Sequence, residues 1–83
     1  MKMVVLSHAA AKDLDALAED AREIVISGLA RYAVSGEGDV KALSGRKGLR
    51  LRIGRYRVLF DEDAKTILAI YIGKRETTTY ARR

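Results

Sequence analysis

The stretch Leu49 to Phe60 reads LRLRIGRYRVLF. Two alternating runs flank Gly54-Arg55, and glycine in the first central place suits a two-residue type II′ hairpin turn. That turn sets a register in which Ile53 faces Tyr56, Arg52 faces Arg57, Leu51 faces Val58, Arg50 faces Leu59 and Leu49 faces Phe60. Side chains alternate between the two faces of a sheet. Leu49, Leu51, Ile53, Tyr56, Val58 and Phe60 therefore share one face, while Arg50, Arg52, Arg57 and Leu59 share the other. The first set is a core surface. The second concentrates like charge with no acid among it.

Working outward, Asp61 to Lys65 is a polar turn, and Thr66 to Ile72 (TILAIYI) is a further strand, expected at the centre of the sheet because both its faces are apolar. Upstream, Ser35 to Asp39 (SGEGD) breaks a helical pattern. Before the break, Ala21, Ile24, Val25, Gly28, Leu29 and Tyr32 fall at i, i+3, i+4, i+7, i+8 and i+11, a single stripe on one helix. An earlier helix carries Ala10, Leu14, Leu17 and Ala21 at helical spacing. Met1 to Leu6 (MKMVVL) is a short β-branched strand, and Ser7 suits the N-cap of the helix after it. The expected fold class is α+β, in the order β-α-α-β-β-β: two N-terminal helices packed on a small, mainly antiparallel twisted sheet. Residues 1–83 form one domain, near the size at which a single core barely suffices.

Composition narrows the function. The apolar fraction is 48%, and no apolar run is long enough to span a bilayer. There is no cysteine and only one histidine, so thiolate metal sites, disulfides and two-histidine chemistry are excluded. No cofactor is implied. With no apolar leader followed by a small-residue cleavage site, a cytoplasmic location is expected. The net charge of +5 is uneven: residues 1–43 carry five Lys/Arg against seven Asp/Glu, a balance of −2, and residues 44–83 carry eleven against four, a balance of +7. A basic half of this kind points to a polyanionic partner, nucleic acid first, although ribosomal and membrane-surface roles share the signature.

Arg52 directly opposite Arg57 is destabilising, so folding gains nothing from the arginine face. A solvated face with long stems lying over apolar surface is one reading. A phosphate site is the other, because planar guanidinium groups grip phosphate oxygens bidentately and can converge from adjacent strands.

The pattern L-x-G-x-x-G-x-R-x-R-x-G-x-Y-R-V-x-F from Leu43 through Phe60, followed by Gly-Lys-Arg-Glu at 73–76 and a tyrosine at Tyr80, resembles the RelE/ParE toxin superfamily, the RelE-like branch in particular. The resemblance spans the chain, including its element order. It implies the toxin of a type II toxin-antitoxin system: a ribosome-dependent, metal-independent mRNA endoribonuclease that inhibits translation. In that reading the 2′-hydroxyl attacks the adjacent phosphate, leaving a 2′,3′-cyclic phosphate and a 5′-hydroxyl. Matching positions assign the catalytic site to Arg50, Arg52, Arg57, Arg75 and Tyr80. The best-known relatives carry lysine where this chain has Arg50 and Arg52, and arginine is a poor general base because it stays protonated. Tyr80 is then the candidate for proton transfer, since neighbouring guanidinium groups favour a phenolate.

Further contacts to RNA or rRNA are expected from Arg46 and Lys47 before the hairpin, Arg55 in its turn, Lys74, Arg82 and Arg83. Tyr32, Tyr56 and Tyr71 lie on apolar stripes and read as core, and His8 reads as a surface or capping residue at the start of the first helix. The resemblance also implies a cognate antitoxin protein, with the ribosome and mRNA as further partners and no membrane. Two alternatives share the fold or the charge: a ParE-like DNA gyrase inhibitor, and a non-catalytic RNA-binding module.

Overall fold

The computed structural model describes residues 1–74. Their order is β1 (Met3–Leu6), α1 (His8–Asp15), α2 (Glu19–Ser35), β2 (Asp39–Ala42), β3 (Leu49–Ile53), β4 (Tyr56–Glu62) and β5 (Thr66–Lys74). The strands form one sheet in the order β1-β5-β4-β3-β2. Every neighbouring pair is antiparallel except β1 with β5, which run parallel. The expected two helices on a mainly antiparallel sheet are thus present, and β2 is an additional strand outside the expected order. Its four residues, Asp39 to Ala42, pair with Leu49 to Arg52.

The β3–β4 register is the one the turn dictates, pair for pair from Leu49 with Phe60 to Ile53 with Tyr56. Gly54 has φ 58° and Arg55 has no positive φ, the combination a type II′ turn needs at its two central positions. One face of this hairpin is sealed by the helices. Ala10 and Leu14 of α1 and Val25, Leu29 and Ala33 of α2 form a single buried cluster with Leu51, Val58, Phe60, Ile67, Ala69 and Ile72. Gly28 lets α2 approach β3 closely, since a methyl group there would come within 2.7 Å of the Ile53 side chain.

Three sequence expectations shift. The core stripe of α2 runs Ala21, Val25, Leu29 and Ala33, leaving Ile24 48% exposed on its flank. The middle strand of the sheet is β4, not β5. The second apolar face of β5 is open, with Leu68 and Ile70 exposed, so two-sided hydrophobicity did not mean burial on both sides.

A bulge makes β5 irregular. Leu59 pairs with Tyr71 but Phe60 pairs with Ala69, so Ile70 is the extra residue. The inserted residue inverts the alternation: Ile67 and Ala69 point to the core before it, and Ile72 does so after it. Beyond Ala69, β5 has outrun β1, and the helical layer supplies its hydrogen bonds. Ser7 Oγ donates to the Ile70 carbonyl at 3.3 Å, and the Ile72 N–H donates to Asp13 Oδ2 at 3.1 Å. Ser7 also caps α1 as expected, its Oγ accepting from the Ala10 N–H at 3.0 Å.

At the other end of the core, Tyr32 donates its hydroxyl to Glu62 Oε1 at 2.6 Å, and Lys2 pairs with Glu62 Oε2. Burial, then the hydrogen bond and negative charge of Glu62, push the Tyr32 phenol up to about 12. The bond from Lys2, followed by that from Tyr32, holds the Glu62 carboxyl below its usual value of 4.5. Because the Tyr32 value is raised on folding, the linked stability is complete below pH 10 and is lost as pH climbs toward 12. For Glu62 the sign reverses, with stability present above about 4.5 and lost as pH falls through the lowered value. Difference absorbance against Tyr32→Phe should therefore show the Tyr32 phenolate forming only as pH climbs toward 12, and Glu62→Gln should draw it back toward 10. A Tyr32 titration left unmoved by Glu62→Gln would refute the contact.

Candidate functional site

Register places the charged side chains in rows across the open face. The first row runs Asp39, Arg52, Arg57 and Gly73 from β2 to β5, and the second runs Lys41, Arg50, Leu59 and Tyr71. Directly opposed residues hold their Cβ atoms about 4.5–5.5 Å apart. Two adjacent rows thus carry four cations against the single carboxylate of Asp39. That carboxylate stands 3.5 Å from Arg52 Nη1, and both groups are well exposed, so the pair contributes little.

Arg50 and Arg57 are the centre of the site. Both are half-buried, and in both the Nε atom is covered without a hydrogen-bond partner among the described residues. Buried donors on a charged group are costly when unmatched. Each guanidinium thus has one unmatched Nε–H, which an anion held by the side chain would match. No group of three or more His, Cys, Asp or Glu suited to a metal occurs among the described residues.

The remaining expected residues fall in different places. Arg46 and Lys47 lie exposed in the loop between β2 and β3, where the Leu43 N–H donates to the Gly48 carbonyl at 3.1 Å. They form a wall beside the open face, in a groove that also includes Leu59, Asp61, Ile70 and Tyr71. Arg55 is exposed in the hairpin turn, at the opposite end of β3. Lys74 pairs with Tyr56 on the helix side of the sheet, so register separates it from the arginine face. Arg75, Tyr80, Arg82 and Arg83 lie outside the described residues.

Two residues join the face unannounced by sequence. Lys41 arrives with β2, whose DVKA holds only one large apolar residue and gives no alternation to read. Tyr71, expected in the core, is 39% exposed on the arginine side, because the bulge turns it there. Tyr32 and Tyr56, by contrast, are half-buried against the core as expected. His8 is an exposed first residue of α1.

Among the described residues no helix is long and apolar enough to cross a membrane. No protein-family profile matches the sequence, and no curated protein does. Solved structures do match. A chain of the RelE–RelB complex from the archaeon Pyrococcus horikoshii OT3 aligns with a TM-score of 0.73 and 20% identity, covering 99% of this chain and 98% of that one. The RelB–RelE antitoxin–toxin complex from Methanococcus jannaschii gives 0.70 and 19%, covering 95% and 98%. The intact E. coli RelBE toxin–antitoxin complex gives 0.67 and 22%, covering 93% and 100%. With the five-stranded sheet and its two helices on one side, these likenesses fix the architecture: this chain has the fold of the RelE toxins.

Proposed function

We propose that this protein is the toxin of a toxin-antitoxin pair and cleaves mRNA in a ribosome-dependent, metal-independent reaction. The observation that carries the reading is the pair Arg50 and Arg57, diagonal neighbours across β3 and β4 in a cationic patch on the open face of a RelE-like fold, each with a covered Nε lacking an acceptor among the described residues. Folding pays for like charges placed together and gains nothing in return. A phosphodiester supplies the missing acceptors.

In the reaction, the ribose 2′-oxygen attacks the adjacent phosphorus. The O2′–P bond forms as the P–O5′ bond breaks, leaving a 2′,3′-cyclic phosphate on one product and a 5′-hydroxyl on the other. Arg50, Arg52 and Arg57 hold the scissile phosphate and oppose the negative charge that builds on its oxygens. Arg75 joins them by the sequence resemblance, and Tyr80 takes the role of proton carrier, receiving the 2′-proton or delivering one to O5′. Arg46, Lys47 and Arg55 contact the RNA backbone, while Arg82 and Arg83 are assigned to rRNA. The partners are the ribosome with its mRNA, in the cytoplasm, and an antitoxin that neutralises the basic face.

Primer extension on a translated message after brief expression tests this. New 5′ ends within codons are expected. Arrested growth with intact message would overturn the reading, and inhibition of purified gyrase in a supercoiling assay would transfer it to the ParE-like alternative.

A further inference from the structure

The bulge in β5 delivers an aromatic ring to the cationic face. Tyr71 stands opposite Leu59 in the row that also holds Arg50 and Lys41. Its ring leans along the strand over Gly73: a Cβ built on Gly73 would lie 2.2 Å from the Tyr71 hydroxyl oxygen and 2.6 Å from Cζ. Gly73 pairs directly with Arg57. The ring thus lies across the backbone beside Arg57, in space that any side chain at position 73 would fill. The ring covers Gly73, and the tyrosine remains 39% exposed.

The surroundings define what would rest there. Tyr71, Leu59 and Ile70 line a groove of about 390 Å³ together with Asp61, Arg46 and Lys47. Its apolar and aromatic residues suit a flat heterocycle, and its two cations suit the phosphates on either side. The carboxylate of Asp61 would repel a phosphate but accept a hydrogen bond from an exocyclic amino group. Arg50 and Tyr71 are two strand spacings apart, roughly 10 Å, the span of a nucleotide from phosphate to base. Single-stranded RNA is held in this way elsewhere, by cations along its backbone and aromatic rings under its bases.

The geometry points to Tyr71 as the stacking platform of a nucleobase subsite, formed with Leu59 and Ile70 next to the arginine cluster. The subsite rests on the RNA reading above. It takes an unpaired base of the same strand whose phosphate lies on Arg50 and Arg57, and it works through the ring, with no demand on the hydroxyl.

The test uses the full chain and a short single-stranded oligoribonucleotide, 2′-O-methylated so that it cannot be cleaved, offered intact or with one abasic position. Tyr71→Ala should weaken binding of the intact probe by about 5- to 150-fold, and Tyr71→Phe should restore it. Binding of the abasic probe should be weakened for the wild type and unaffected by Tyr71→Ala. The salt dependence should be the same in all three proteins, because the phosphate contacts persist. A circular dichroism melt keeps a folding defect from passing as lost stacking. Equal binding by wild type and Tyr71→Ala would overturn the subsite while leaving the RNA reading intact. A Tyr71→Phe defect equal to that of Tyr71→Ala would overturn stacking in favour of the hydroxyl. No binding of either probe by the wild type would overturn the subsite, and message cleavage in the primer-extension assay shows separately whether the RNA reading survives.

Discussion

Arg57→Ala is expected to lower mRNA cleavage on programmed ribosomes by about 10²- to 10³-fold and to leave the fold as stable as before. The two halves of that expectation have separate origins. In the proposed reaction, activity falls because a guanidinium that would oppose the developing phosphate charge is removed. Stability holds because Arg57 stands directly opposite Arg52, where like charges oppose folding. Relief of that repulsion offsets the loss of packing by the arginine stem, leaving a net change of about 0.5 kcal/mol or less. Single-turnover cleavage and thermal unfolding check both parts. Arg57→Lys should fall between, since it keeps the charge without the bidentate fork. Unchanged cleavage by Arg57→Ala would remove the arginine face from the reaction, and a large drop in melting temperature would make Arg57 a structural residue.

Phe60→Ala should give the largest loss of stability, about 3–5 kcal/mol. Phe60 is 1% exposed, and its ring meets Tyr32 edge-on, with centroids 5.5 Å apart and planes at 65°. It also stands at the bulge, paired across β5 with the small, fully buried Ala69. Large against small is the fit that seats this register, and alanine at both positions would leave a void under the centre of the sheet. A domain of this size holds roughly 4–12 kcal/mol in total, so one substitution removes a large share of it. Each kcal/mol corresponds to about 4–8 °C of melting temperature, and calorimetry or a urea titration gives the value. A loss below about 1 kcal/mol would mean the core is not organised around this ring.

The hairpin was legible because three signals coincided: a glycine suited to one turn type, alternation on either side that only Leu59 interrupts, and strand arginines confined to one face. The arginine face followed from register alone. By contrast, β5 could not be oriented, because TILAIYI is apolar at both parities and a period of two then names no face. The bulge at Ile70 is set by what β4 and the helices require of β5, so Tyr71 read as core although it lies with the arginines. The strand β2 was hidden for another reason. Asp39 to Ala42 has little intrinsic preference and becomes a strand by adding to the free edge of β3. Lys41 was missed with it. At the α1–α2 corner, Ala16, Leu17 and Ala18 are helix formers by propensity, yet α1 ends at Asp15 and α2 begins at Glu19.

The parallel pairing of β1 with β5 sets an order of events. Met3 finds its partner in Thr66, nearly the whole described chain away, whereas β3 and β4 meet across a two-residue turn. Loop closure makes distant contacts slow and near ones fast. The arginine hairpin can therefore assemble early, while β1 must wait for the last described strand to be synthesised. Tyr71 and Gly73 travel on that strand. That strand meets β4 across the short turn from Asp63 to Lys65, so the ring and the cations can assemble as one local meander before β1 closes the sheet.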